Sequence, residues 1–226
     1  MKPYYQDGLI TIYHGDCLEV LPSLPSADLV MTDPPYGMGE NNARNLSRGN
    51  RPLGGGRAST NSAVWAATDY GDFDWDKRPA SQEEIAALLA AAPKAIIWGG
   101  NYFALPPSRA WLVWDKLNSG DFADGELAWS NLDQSLRIFR FLWNGMIRAG
   151  EMRGRKRVHP TQKPKELFAW CLKFVPEAGS VIDPFMGSGS SLRACKDAGV
   201  KCIGIEKVER YCEAAAERMA QEVLTF

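Results

Sequence analysis

Short apolar runs, each cut off by Gly, Pro or Asp, alternate along this chain with stretches of helical periodicity. No other feature restricts the fold as much. The runs lie at 9–13, 28–32, 94–98, 111–114, 180–182 and 201–205, and their length and β-branched content predict buried strands. Helical patterns cover 81–92, which opens on a Ser-x-x-Glu capping signal, then 164–175, 190–198 and 207–224. Strands alternating with helices of this length predict an α/β fold, a doubly wound and mainly parallel sheet with helices on both faces.

Two stretches break the alternation. Residues 38–68 are rich in Gly, Asn, Ser and Arg without periodicity, the pattern of a long mobile loop or lid. Residues 131–160 hold one strand-like run, 137–143, followed by a basic, glycine-bearing segment. No repeat or linker divides the chain, so 1–226 reads as a single domain. Charge is balanced, 26 Lys and Arg against 27 Asp and Glu, which gives no global electrostatic reason for a nucleic-acid or membrane partner. No apolar run approaches the ~20 residues of a bilayer span and the first residues open no signal-peptide pattern, so the expected location is the cytoplasm. Five widely spaced cysteines and two histidines fit neither a disulfide framework nor a metal site; buried, reduced thiols and no metal are expected.

The sharpest local signal is Asp33-Pro34-Pro35-Tyr36, directly after the predicted strand 28–32. At roughly 5% usage per residue, one given tetrapeptide should turn up by chance in about one chain of this size in a thousand. Pro-Pro is good turn punctuation, but the carboxyl end of a strand is where open α/β sheets place their ligands. Two prolines fix φ and remove two N–H donors, so the turn only accepts hydrogen bonds. Asp33 adds a carboxylate acceptor and Tyr36 a flat face with a hydroxyl at its rim. Such a turn suits a planar group bearing an NH2, and an exocyclic amino group on adenine or cytosine meets that description.

A second constellation, Asp183-Pro184-Phe185-Met186-Gly187-Ser188-Gly189-Ser190, follows the predicted strand 180–182. Its glycines permit a tight turn and close approach of backbone to a ligand. It is not the dinucleotide fingerprint, which needs glycine where Leu192 stands, nor a phosphate loop. The next strand ends at Glu206, where a carboxylate can accept from ribose hydroxyls. The pair favours a nucleoside-bearing ligand.

Together these motifs resemble the DNA amino-methyltransferases that use S-adenosylmethionine, in the order of their permuted β group: catalytic tetrapeptide first, target-recognition region next, cofactor motif last. The likeness covers most of the chain. It implies a seven-stranded methyltransferase sheet, and it marks Asp33, Pro34, Pro35 and Tyr36 as catalytic. His159-Pro160-Thr161-Gln162-Lys163-Pro164 matches the family's segment near the methionine end of the cofactor, and Gly15-Asp16-Cys17 matches the stretch whose Asp lies by the adenine. The cofactor set implied is therefore Asp16, Cys17, His159, Thr161, Lys163, Asp183, Phe185, Gly187, Ser188, Gly189 and Glu206. Taken singly, Asp16 is an N-cap for a helix at 17–21 and His159 an ordinary residue ahead of a helix; it is the shared order that favours the functional roles. Trp98-Gly99-Gly100-Asn101-Tyr102-Phe103 and Trp114-Asp115-Lys116 fall where relatives place strand-end motifs.

Many relatives carry a larger recognition region than the 119–158 available here. Arg44, Arg48, Arg51 and Arg57 lie in the loop with no acid between them, and Arg153, Arg155 and Arg157 stand in a segment whose sole acid between 137 and 165 is Glu151. Acid-poor, basic segments in a neutral chain suggest phosphate contact, so double-stranded DNA is the expected partner. A homodimer and a companion restriction enzyme are compatible with the pattern but not implied by it. The resemblance implies methyl transfer to the amino nitrogen of a flipped base, with adenine N6 preferred because relatives acting on cytosine more often carry Ser in place of Asp33. Cytosine N4 methylation and a non-catalytic DNA-binding module are the alternatives.

Overall fold

The computed structural model describes residues 1–38, 76–118, 123–143, 149–150, 159 and 161–221. Nine strands are described: β1 (Tyr5–Gln6), β2 (Ile10–His14), β3 (Leu29–Thr32), β4 (Lys94–Trp98), β5 (Leu112–Asp115), β6 (Gly125–Ser130), β7 (Arg137–Arg140), β8 (Ser180–Asp183) and β9 (Lys201–Glu206). They form one sheet in the order β1-β2-β9-β8-β3-β4-β6-β5-β7. All six runs read as strands from the sequence are strands. Seven inner strands make the expected sheet; β1 pairs antiparallel on one edge and β7 parallel on the other, which brings the number to nine.

β6 is the strand that the alternation does not announce. Gly, Glu, Ala and Ser fill four of its six positions, and these are poor strand formers. It is set by its neighbours instead, antiparallel to both β4 and β5. The stretch 119–158 expected to serve target recognition therefore supplies two strands of the sheet, β6 and β7, and is not recognition surface throughout. The expected loop 38–68 lies outside the described residues except for Met38.

Helices α1 (Cys17–Val20), α2 (Gln82–Ala90), α3 (Lys165–Leu172), α4 (Ser190–Asp197) and α5 (Glu209–Ala220) cover both faces. Side chains alternate across each strand. Leu29 and Met31 accordingly join Leu167, Cys171, Leu192 and Ala215 on one face, while Val30 joins Val20, Ile85 and Leu88 on the other. The capping signal at Ser81 is realised: its hydroxyl accepts from Glu84 N and the Glu84 carboxylate from Ser81 N. The final helix ends earlier than its periodicity, and its last carbonyls are held from α4, where Arg193 donates to Gln221 O at 2.9 Å and Lys196 to Met219 O at 2.7 Å.

β3 lies between β8 and β4, parallel to both, and β8 is parallel to β9. The turn after β3 and the turn after β8 thus emerge side by side at the carboxyl edge, although about 150 residues separate Thr32 from Asp183 in the chain (Thr32 donates to Asp183 Oδ1 at 2.6 Å). All five cysteines are free and buried. Among the described residues no helix is long and apolar enough to cross a membrane, and no group of three His, Cys, Asp or Glu side chains is placed to hold a metal ion.

Candidate active site

A cleft of about 870 Å³ opens along the carboxyl edge, lined at one end by Asp16, Gly187 and Glu206 and at the other by Asp33 and Tyr36. It brings together the two motifs and the segments around Asp16 and His159.

At the first end the glycine turn folds under Glu206. Gly187 N donates to Glu206 Oε2 at 3.1 Å and Val208 N to Oε1 at 2.7 Å. Burial pushes this carboxyl up to about 7, since the groups that hold it are backbone N–H donors without full charge. Asp16 caps α1, accepting from Leu18 N at 3.0 Å, and pairs with Lys207; it is both an N-cap and a cleft residue. Cys17 also lines the cleft, its thiol pushed up to about 12 by burial. His159 is buried over the turn, with its ring 4.3 Å from that of Tyr211 and its Nδ1 3.3 Å from Thr161 N.

The two glycines do different work. A Cβ on Gly187 would face the His159 ring at 3.6 Å, whereas one on Gly189 would face Ala215 of α5 at 3.0 Å. Gly189, at φ +76°, is thus needed for the left-handed turn and for helix packing rather than for close approach to a ligand. Asp183 departs from expectation in a similar way. Its Oδ1 accepts from Thr32 and Phe185 N, and its Oδ2 from Ser191, so it ties β8 to β3 and α4 while lining the cleft. Burial pushes it up to about 6.

At the other end Asp33, Pro35 and Tyr36 of the tetrapeptide are engaged. Pro35 O accepts from Ala80 N at 2.9 Å, while among the described residues none donates to Pro34 O. The Tyr36 hydroxyl donates to Asp33 Oδ1, and Lys163 donates to Asp33 Oδ2 at 2.5 Å. The resemblance implies a place for Lys163 at the methionine end of the cofactor; its ammonium sits on the Asp33 carboxylate. The Tyr36 face expected to receive a base is stacked on Tyr102, centroids 4.9 Å apart and planes 17° from parallel. Gly99 packs against the same ring, and a Cβ there would run into it.

Four residues of this end have no role assigned from the sequence, although Tyr102 and Lys116 lie within noted motifs. Asp76 accepts from Gly37 N and Met38 N and fixes the exit of the turn. Tyr102 lay within a motif that was noted, but only stacking geometry gives it a place. Glu126 and Lys116 continue the charges beyond Lys163, at 3.1 Å and 2.5 Å in turn; a lone Glu in an unannounced strand carries no signal of its own. Arg44, Arg48, Arg51, Arg57, Arg153, Arg155 and Arg157 lie outside the described residues.

A family model described as DNA methylase matches residues 129–217. The chain is 26% identical to the type II methyltransferase M.ScaI of Streptomyces caespitosus over 98% of its own length and 84% of that protein. It is 24% identical to M2.LlaDCHI of Lactococcus lactis subsp. cremoris, over 96% and 92%. Among solved structures it resembles the PvuII DNA methyltransferase, described as cytosine-N4-specific, with a TM-score of 0.58 at 17% identity over 99% of this chain and 91% of that one. It also resembles M1.HpyAVI in its S-adenosylmethionine complex, with a TM-score of 0.51 at 21% identity over 93% and 100%.

Proposed function

We propose that this chain, which belongs to the DNA amino-methyltransferases of the N6/N4 class and takes its methyl group from S-adenosylmethionine, methylates adenine N6 in double-stranded DNA. The observation that carries the choice of base is a carboxylate, Asp33, at the head of the turn, held in place by Tyr36 and Lys163.

The cleft suits the cofactor. A carboxylate backed by the glycine turn can take ribose hydroxyls at Glu206, with Asp16, Cys17 and Phe185 along the adenine side and His159, Thr161, Gly187 and Ser188 toward the methionine side; all of these line one cavity. Bound there, the cofactor supplies an electrophilic sulfonium methyl. The protein's part is played by Asp33 and Pro34. A carboxylate retains lone pairs beyond those used by Tyr36 and Lys163, so Asp33 accepts one amino hydrogen and the Pro34 carbonyl accepts the other. These two bonds draw the nitrogen away from conjugation and free its lone pair for in-line attack. The negative charge of Asp33, already oriented in a site removed from water, stabilises the positive charge that develops on nitrogen. The base must leave the helix to reach this turn, and Arg44, Arg48, Arg51, Arg57, Arg153, Arg155 and Arg157 are the proposed phosphate contacts.

The test is to incubate unmethylated DNA with protein and cofactor, digest to nucleosides and identify the product by mass spectrometry. N6-methyladenine is expected. N4-methylcytosine would assign the other amino base, and no methylated base would leave the non-catalytic alternative.

A further inference from the structure

From Asp33 onward, buried and half-buried charges form a chain of four. Lys163 stands between two carboxylates, 2.5 Å from Asp33 Oδ2 and 3.1 Å from Glu126 Oε2, and Lys116 closes on Glu126 Oε1 at 2.5 Å. They come from separate parts of the fold: the turn after β3, the segment ahead of α3, strand β6, and the residue after β5. The Lys163 side chain is 7% exposed and that of Glu126 20%. Burying four charges carries a desolvation penalty, and an apolar cluster would hold these segments together at least as well. The placement of the chain against the reacting carboxylate gives it a purpose that packing does not.

That purpose follows from sharing. An ammonium given wholly to Asp33 would neutralise it and weaken it as an acceptor for an incoming N–H. An ammonium shared with a second carboxylate binds Asp33 less completely. Without any lysine, the buried Asp33 would be driven to its neutral form. We propose that Glu126 is a positioning residue for methyl transfer: acting through Lys163, it sets how tightly the Asp33 carboxylate is held and therefore how well it accepts the amino group of the base. The proposal rests on Asp33 being the group that receives that amino group.

The groups facing Asp33 are Tyr36 from its own turn, Lys163, Glu126 from β6 and Asp183 from β8. Burial holds the Asp33 carboxyl above the usual range, opposed by Lys163, and the negative charge of Glu126 pushes it further up. Glu126, itself faced by Lys163 and Lys116, is held low by those two cations against its burial. Removing the charge of Glu126 therefore lowers the Asp33 pKa and tightens its bond to Lys163.

Glu126→Gln keeps the shape and removes the charge. The expected result is a kcat lower by roughly tenfold, less than the loss on deleting Asp33 itself, with KM for DNA and cofactor nearly unchanged. The acid limb of the kcat profile should move to lower pH, and a carboxyl-carbon NMR titration of the free protein should show Asp33 titrating lower. If the variant fails to fold, Glu126→Asp, which keeps the charge but shortens the reach, should give the same shifts in smaller measure. A folded variant whose kcat profile and Asp33 titration match the wild type overturns the proposal, as does a uniform loss of stability and activity with the titration unmoved. Wild-type turnover in Asp33→Ala is a different result: it removes the assignment of Asp33, and the proposal with it, whatever Glu126 does.

Discussion

Asp33 and Glu206 are carboxylates buried in one cleft, yet they are treated in opposite ways. Asp33 is given a full positive charge at 2.5 Å; Glu206 is given two backbone N–H groups, at 3.1 Å and 2.7 Å. A charge-assisted bond to an ammonium is roughly twice as strong as one to a neutral donor, and only the former keeps a deeply buried carboxylate charged with ease. The Lys163 ammonium, for its part, is held above the ordinary lysine range by Asp33 and Glu126, which outweigh its burial. Glu206 is instead left poised at about 7 by its burial. Burial raises both carboxyls; at Asp33 the Lys163 ammonium opposes that rise with a full charge, whereas at Glu206 only backbone N–H donors do.

The strongest way to break this comparison is to remove the charged acceptor. Asp33→Ala should lower kcat by roughly a hundredfold or more, about 3 kcal/mol of transition-state stabilisation, and leave cofactor affinity measured by calorimetry nearly intact. A variant that loses cofactor binding and turnover together would mean that Asp33 belongs to the cofactor end. Glu206→Ala should do the reverse. It removes the proposed acceptor of the ribose hydroxyls and leaves Gly187 N and Val208 N without their partner, so cofactor affinity should fall about tenfold or more, at ~1.5–3 kcal/mol for hydrogen bonds to a charged group. Normal binding in that variant would put the ribose elsewhere.

How much of this contrast could be read from the sequence depends on what each end is made of. The turns were legible because backbone demands rare residues: two prolines before Tyr36, a glycine at φ +51° and another at +76° in the turn after β8. The parallel strands were legible from their apolar runs, and the placement of β3 beside β8 followed from the motif order. The charge network was not. Glu126 sits in a strand with weak local preference, Lys163 lay in a motif whose implied role pointed to the cofactor, and Lys116 is 47 residues before it in the chain. Ion pairs between distant segments leave no periodic trace. For the same reason the sequence does not show that Asp183 is bonded to β3 and α4, or that Gly189 packs against α5.

A pH series sharpens the comparison. Glu206 has its pKa raised from 4.5 to about 7 in the folded protein, and an ionised carboxylate accepts ribose hydroxyls better than a protonated one. Cofactor affinity should therefore rise as pH passes through about 7, by up to roughly tenfold per pH unit below that point, with proton release on binding. Calorimetry in buffers of different ionisation enthalpy measures both. An affinity independent of pH between 6 and 8 would mean that Glu206 is already charged in the free protein and that the two ends are alike.

Asp183 offers the smallest and most local test, because it lies between the two ends and resembles Glu206 in having no ammonium among its hydrogen-bond partners, which are Thr32, Ser191 and Phe185 N. Its carboxyl is raised from 3.8 to about 6 by burial. A raised acid holds more protons in the folded state than in the unfolded one, so its contribution to stability is full at low pH and is lost as pH rises from about 4 to about 6. Asp183→Asn keeps the shape and the acceptor toward Thr32, gives up the best geometry toward Ser191, and does not titrate. The variant should be less stable by about 1 kcal/mol at the acid end of that range, and the gap should close and then reverse as pH rises, because raising the carboxyl from 3.8 to about 6 is worth roughly 3 kcal/mol. Glu206 titrates in both proteins, so its effect cancels in the difference. Urea unfolding from pH 4 to 8 measures the gap directly. A gap that widens with pH would show that the hydroxyls of Thr32 and Ser191 stabilise Asp183 as an anion, and that neutral donors suffice to keep a buried carboxylate charged in this cleft.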